Sequence, residues 1–189
     1  YNRSAAAINI GDTNDHFFCS RELLTRFGHE EKDNGIIERV LKTFFIVPHT
    51  WADEELAKAQ TLYERLNNRL DKAPAETRLW YLAALSLADY RLGRCEKALE
   101  RLKKVAISNE PTTAPQEAQA LAVIALCHAR LGENEKAIEA LRLSDNVIKN
   151  ATPFNMAHFD HWRRNYLVKE ATQLIQGQSH GSLTNSFRL

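Results

Sequence analysis

Between Glu76 and Lys149 the same helical hairpin is written twice. One copy reads Trp80-Tyr-Leu-Ala-Ala-Leu-Ser-Leu-Ala-Asp-Tyr-Arg-Leu-Gly-Arg-Cys-Glu-Lys-Ala-Leu and the other Gln119-Ala-Leu-Ala-Val-Ile-Ala-Leu-Cys-His-Ala-Arg-Leu-Gly-Glu-Asn-Glu-Lys-Ala-Ile, so Arg-Leu-Gly and Glu-Lys-Ala recur 39 positions apart. A unit repeated at such a period cannot bury its apolar face alone and must stack on its neighbours. The expectation is an all-α α-solenoid of about four antiparallel helix pairs with a C-terminal capping helix. A scaffold of that kind binds, but its repeat does not name what it binds.

The same unit, degraded, extends outward in both directions. Gly11-Asp12 follows Ala5 to Ile10 as Gly93-Arg94 follows Asp89 to Leu92, and a helix from Asp15 stops at Gly28. Pair one therefore spans about 1–28, and its opening looks like the end of a helix belonging to a longer protein. Pair two, about 33–71, has Asn34 as a cap, a wide apolar stripe from Ile36 to Phe45, a turn at Pro48 to Thr50 and a second helix starting near Asp53. A strand over Thr43 to Val47 is rejected, because it has no second strand with which to pair. Pairs three and four span about 75–107 and 116–149, separated by a connection holding Pro111 and Pro115, which cannot continue a helix. A cap helix over about 155–176 carries Met156, Phe159, Trp162, Tyr166, Leu167, Ala171 and Leu174 on its apolar face. Asp160, Arg163, Arg164, Lys169, Glu170 and Gln173 form a face expected to meet water. Residues 177–189 are small, polar and without periodicity, and are expected to be a flexible tail.

Charge argues against two partner classes. Twenty-five basic and 24 acidic residues are mixed along the chain for a net +1, which gives no support to nucleic acid or a membrane surface. No apolar run approaches the ~20 residues of a membrane span. Three widely spaced cysteines, Cys19, Cys95 and Cys127, suit packed, reduced thiols in the cytoplasm.

Pairs three and four resemble tetratricopeptide (TPR) repeats. Leu85-Ser86, Gly93 and Ala98 in one copy, and Ile124-Ala125, Gly132 and Ala137 in the other, stand where the pattern sets small residues and a turn glycine. Asp89 and His128 depart from it, standing where an aromatic is usual, and the closing proline is displaced to Pro111 and Pro153. Over most of the chain, Gly11-Asp12, Cys19-Ser-Arg-Glu-Leu-Leu-Thr-Arg-Phe-Gly28, a helix ending at Pro48, the two repeats and a terminal Trp162-Arg-Arg helix resemble a particular TPR region. It is the one following the kinase or WD-repeat domains of some bacterial eukaryotic-like serine/threonine kinases. The resemblance implies a non-catalytic module of a larger bacterial signalling protein. The kinase loops themselves, Gly-rich, His-Arg-Asp and Asp-Phe-Gly, do not occur.

Catalytic and metal chemistry find little purchase. His158 and His161 are three apart and lack both a third ligand and the four-residue spacing of helix-borne zinc pairs, so no metal or cofactor is expected. Adjacent carboxylates such as Glu30-Glu31 and Glu54-Glu55 diverge on a helix, and no nucleophile elbow is present. The chain is therefore read as no enzyme.

Binding has a geometric argument. In a TPR stack the first helices of successive pairs line the concave face, placing Trp80, Ala83, Leu87, Tyr90 and Arg91 beside Gln119, Ala122, Leu126, Ala129 and Arg130. The predicted site is Trp80, Ala83, Leu87, Tyr90, Arg91, Ala122, Leu126 and Arg130, a groove for a protein or peptide segment in which the two arginines grip an acidic group. An ordinary charge at a helix C-terminus is the plainer account of both arginines. The Asn and Lys set by which some TPR domains clamp a terminal carboxylate is missing. The alternative is an architectural or self-associating domain whose groove is filled by its own chain and whose Tyr1, Phe17 and Phe18 form a contact surface.

Overall fold

A computed structural model describes residues 2–28, 32–107, 114–149 and 159–185. Tyr1, Pro111, Pro153, Met156 and His158 lie outside the described residues. The helices are α1 (Asn2–Ile10), α2 (Thr13–Phe27), α3 (Asn34–Ile46), α4 (Asp53–Arg69), α5 (Ala75–Arg91), α6 (Cys95–Ile107), α7 (Ala114–Arg130), α8 (Asn134–Lys149) and α9 (Phe159–Asn185), with a 3-10 turn at Leu70–Lys72. No strand occurs among the described residues, and Thr43 to Ile46 lie in α3. No helix among them is long and apolar enough to cross a membrane.

Three turns are built alike. Gly11, Gly93 and Gly132 have φ of 80°, 76° and 78°, in the left-handed region that costs a side-chain-bearing residue energy. Behind each, two amides turn back onto the helix just ended. Gly93 donates to the Tyr90 carbonyl at 3.0 Å and Arg94 to that of Asp89 at 2.8 Å, and Gly132 and Glu133 repeat this to Ala129 and His128 at 3.1 and 2.9 Å. Gly11 and Asp12 do the same to Ile8 and Ala7. This closure satisfies carbonyls a helix end leaves open.

Several boundaries differ from expectation for local reasons. The cap of α3 is Asp33, not Asn34: its carboxylate accepts from the amides of Gly35 and Ile36 at 2.7 and 3.2 Å. Pro115 is the second residue of α7, where a missing N–H costs nothing because the first turn has no partner for it. Helix α9 does not end at Gln176 and continues through Gly177 to Asn185.

Consecutive helices pair, and α3, α5 and α7 pack on one another in the core. Asp89, at the position where the TPR pattern sets an aromatic, is fully buried and ties α4, α5 and α6 together. It accepts from Tyr63 Oη at 2.9 Å and Arg101 Nε at 2.7 Å and faces Arg94 Nη2 at 2.9 Å. At the matching places of the next hairpin the carboxylate stands on the other side of the turn: His128 Nδ1 lies 2.5 Å from Glu133 Oε2. Both departures from the aromatic are thus polar links across a glycine turn.

Helix α9 packs along α7 and also touches α1, α3 and α8. Its sequence pattern predicts one face in water. Instead Arg163 and Arg164 are buried, and Arg164 donates from Nε to Ser144 Oγ at 2.8 Å and pairs with Asp145. A helix lying between α1 and α7 has neighbours on two sides, so Arg163, Arg164 and much of Glu170 are covered, while Lys169 and Gln173 of the same expected face are exposed. At the other end of the chain, buried His16 sits 2.8 Å (Nδ1) from Ser4 Oγ and joins α2 to α1. Burial lowers its pKa to about 4, so the ring is neutral.

Candidate functional site

Helices α5 and α7 close on the same wording, an arginine shortly before the left-handed glycine, and this puts Arg91 and Arg130 at one rim of the molecule. They line a recess of about 350 Å³ with Phe45, Val47, Pro48, His49, Thr50, Trp51, Leu56, Leu92 and Glu170. Two of its lining residues are held by ring contacts: Trp51 stacks on Phe44 with centroids 4.1 Å apart, and His49 stacks on Phe17 at 4.0 Å.

Arg91 is fully engaged. Its Nε donates to the Phe45 carbonyl at 2.8 Å and Nη2 to that of Ile46 at 2.5 Å, both at the end of α3. Its two terminal nitrogens fork onto Glu170 of α9, Nη2 to Oε2 at 2.6 Å. Tyr90 Oη donates to the same carboxylate at 3.2 Å, and burial together with Glu170 raises the phenol's pKa. Such bidentate, charge-assisted contacts are the strong ones.

Arg130 stands in the matching place and is exposed. Among the described residues its hydrogen bonding is one long contact, Nη1 to the Tyr90 carbonyl at 3.4 Å. Its guanidinium lies over the Tyr90 ring at 5.1 Å, beside that of Arg91 at 5.0 Å. The recess therefore presents two fixed cations and one carboxylate.

Of the eight residues expected to line an open groove, the structure brings Arg91 and Arg130 together at the recess and places the others elsewhere. Ala83, Leu87 and Tyr90 are at most 1 % exposed, and Ala122 and Leu126 are fully buried. Trp80 is half-buried, with Lys42 Nζ of α3 4.7 Å from its ring. The small residues do not leave a groove; they let helices, including α9, pack closely. The acidic group that Arg91 grips belongs to the chain itself.

Three contributors are not legible as such in the sequence. The charge pattern assigns Glu170 to a solvated face, although Arg163, Leu167, Glu170 and Leu174 share the 4, 3, 4 spacing of one helical stripe. His49 reads only as a turn residue, and Trp51 falls between that turn and the next helix without a role. Elsewhere, His161 is half-buried with Asn165 Nδ2 3.2 Å from its Nε2, and burial, then Arg164, lowers its pKa. Cys19, Cys95 and Cys127 are free and buried, and burial raises all three thiol pKa values, the direction that suppresses a reactive thiolate. No family model, curated protein or solved structure matches the chain.

Proposed function

We propose that the chain is a non-catalytic protein-interaction scaffold, a TPR-like array of four helix pairs in the cytoplasm that serves as a recruitment module of a larger bacterial signalling protein. Its partner is a polypeptide segment, and the place of engagement is the recess where α3, α5 and α7 end. One observation carries this reading: Arg130 stands open to solvent beside the apolar walls of Val47, Leu56 and Leu92. Concave sites that combine apolar lining with a few fixed polar groups are where segments and ligands bind. Helix α9 covers α7, so the proposed partner meets the recess.

A photo-crosslinking residue in place of His49, which is exposed and lines the recess, tests the reading in the intact protein. One discrete adduct is expected, and it should be lost with Arg130→Glu. Labelling no stronger than from the same residue at exposed Lys136 on α8 contradicts it. The paired reversal Arg91→Glu with Arg130→Glu does not separate binding from stability, because Arg91→Glu sets two carboxylates against each other at Glu170.

A second reading is favoured by Ile10 and Phe18, 77 % and 57 % exposed at the α1–α2 edge. There the domain is architectural and packs this edge on a second copy or on other parts of a longer chain. Sedimentation of the chain with and without Phe18→Ser separates the two: a monomer in both cases counts against self-association.

A further inference from the structure

If the chain is the interaction scaffold proposed for it, the hairpin repeat supplies a template for what the recess holds. Arg91 and Arg130 occupy one place in successive units, and one part of their surroundings matches. Each reaches back to main-chain carbonyls at the end of the preceding odd-numbered helix, Arg91 to Phe45 and Ile46 on α3, Arg130 to Tyr90 on α5. The two guanidinium groups share the ring of Tyr90, at 5.0 and 5.1 Å, which adjoins Arg91 in the chain and lies on the preceding odd-numbered helix for Arg130. The carboxylate differs. Arg91 is closed by a forked carboxylate from α9, whereas among the described residues Arg130 has no carboxylate partner.

We infer that Arg130 is the receptor for a carboxylate brought by the partner polypeptide, an Asp or Glu side chain next to an apolar residue, seated on Arg130 as Glu170 is seated on Arg91. The guanidinium offers a planar fork of donors that a carboxylate matches, and one contact at 3.4 Å leaves most of them to solvent. Charge selects the same ligand. Arg91, Arg130 and Glu170 leave the recess with one excess positive charge, which a carboxylate neutralises. A phosphate dianion would leave an excess negative charge beside Glu170. The apolar walls formed by Val47, Leu56 and Leu92 take the neighbouring side chain.

The test selects binders to the full chain from a library of random decapeptides blocked at both ends. Selected peptides are expected to carry Asp or Glu at one fixed position beside an apolar residue and to shift the ring resonances of His49, which locates them in the recess. Arg130→Gln should weaken them by about tenfold or more, the range for losing a charge-assisted hydrogen bond. Arg130→Lys should recover only part of this, since an ammonium cannot make the fork. Replacing the peptide's acid by Gln should cost the same, and combining it with Arg130→Gln should cost no more. Because Arg130 is exposed, the melting temperature of Arg130→Gln should stay at the wild-type value. Peptides that shift His49 but have no fixed acid, prefer phosphoserine there, or bind Arg130→Gln undiminished overturn the carboxylate assignment and leave the interaction reading standing. Failure of any peptide to bind saturably overturns both.

Discussion

The Arg91 guanidinium on α5 and the Glu170 carboxylate on α9 form a forked ion pair between residues 79 apart in sequence. Their side chains are only 10 % and 17 % exposed. This one pair changes the meaning of the expected groove. An acidic group does dock on the repeat's arginine, but it is internal, and the contact holds α9 against the core. On the proposed function, the matching arginine 39 positions later is what remains for a partner.

The turn glycines make the first prediction. Gly132 has φ of 78°, and no atom lies within 4 Å of where a Cβ would stand. The cost of Gly132→Val is therefore backbone strain with no clash added, at least about 1 kcal/mol. That should lower the melting temperature by roughly 2–4 °C in a chain of this size. An unchanged melting temperature would place the repeat boundary elsewhere.

Acid should weaken the α1–α2 junction. Burial lowers the folded-state pKa of His16 to about 4 from 6.5, so between those values the unfolded chain binds a proton that the folded one refuses. The stabilisation is complete above about pH 6.5 and is lost progressively as the pH falls to about 4, for a total on the order of 3 kcal/mol. Urea titrations of wild type and His16→Asn across this range should differ in slope, the wild type losing more. Parallel profiles would mean that His16 titrates normally in the fold.

The two polar turn links should differ sharply in weight. Asp89 is fully buried among Arg94, Arg101 and Tyr63, and Asp89→Asn leaves those cations uncompensated at a cost of about 3–5 kcal/mol. In the other link the side chains of His128 and Glu133 are 17 % and 38 % exposed, so His128→Ala should cost less than about 1 kcal/mol. Equal losses in chemical denaturation would contradict the assignment of Asp89 as the hub of α4, α5 and α6.

The legible part of the fold is the local part. The left-handed turns at Gly11, Gly93 and Gly132 follow from chemistry within one hairpin, as do the helices that flank them. Asn34 and Asp33 are adjacent and equally able to cap, so the choice between them is not legible. The course of α9 is hidden for a different reason. Sorting its residues into an apolar and a solvated face presumes one neighbour, and Arg163, Arg164 and Glu170 are covered because α9 has several. The arginines of the site follow from the repeat. Their fates diverge through Glu170, a contact between distant stretches that periodicity does not encode.

The most direct test of this arrangement is a double-mutant cycle on Arg91→Met and Glu170→Gln, measured by urea unfolding. A part-buried, forked pair should couple by at least about 1.5 kcal/mol, within the range seen for contacting charged groups. A coupling energy near zero would contradict it, because Glu170, and α9 with it, would then not be held against α5 by Arg91.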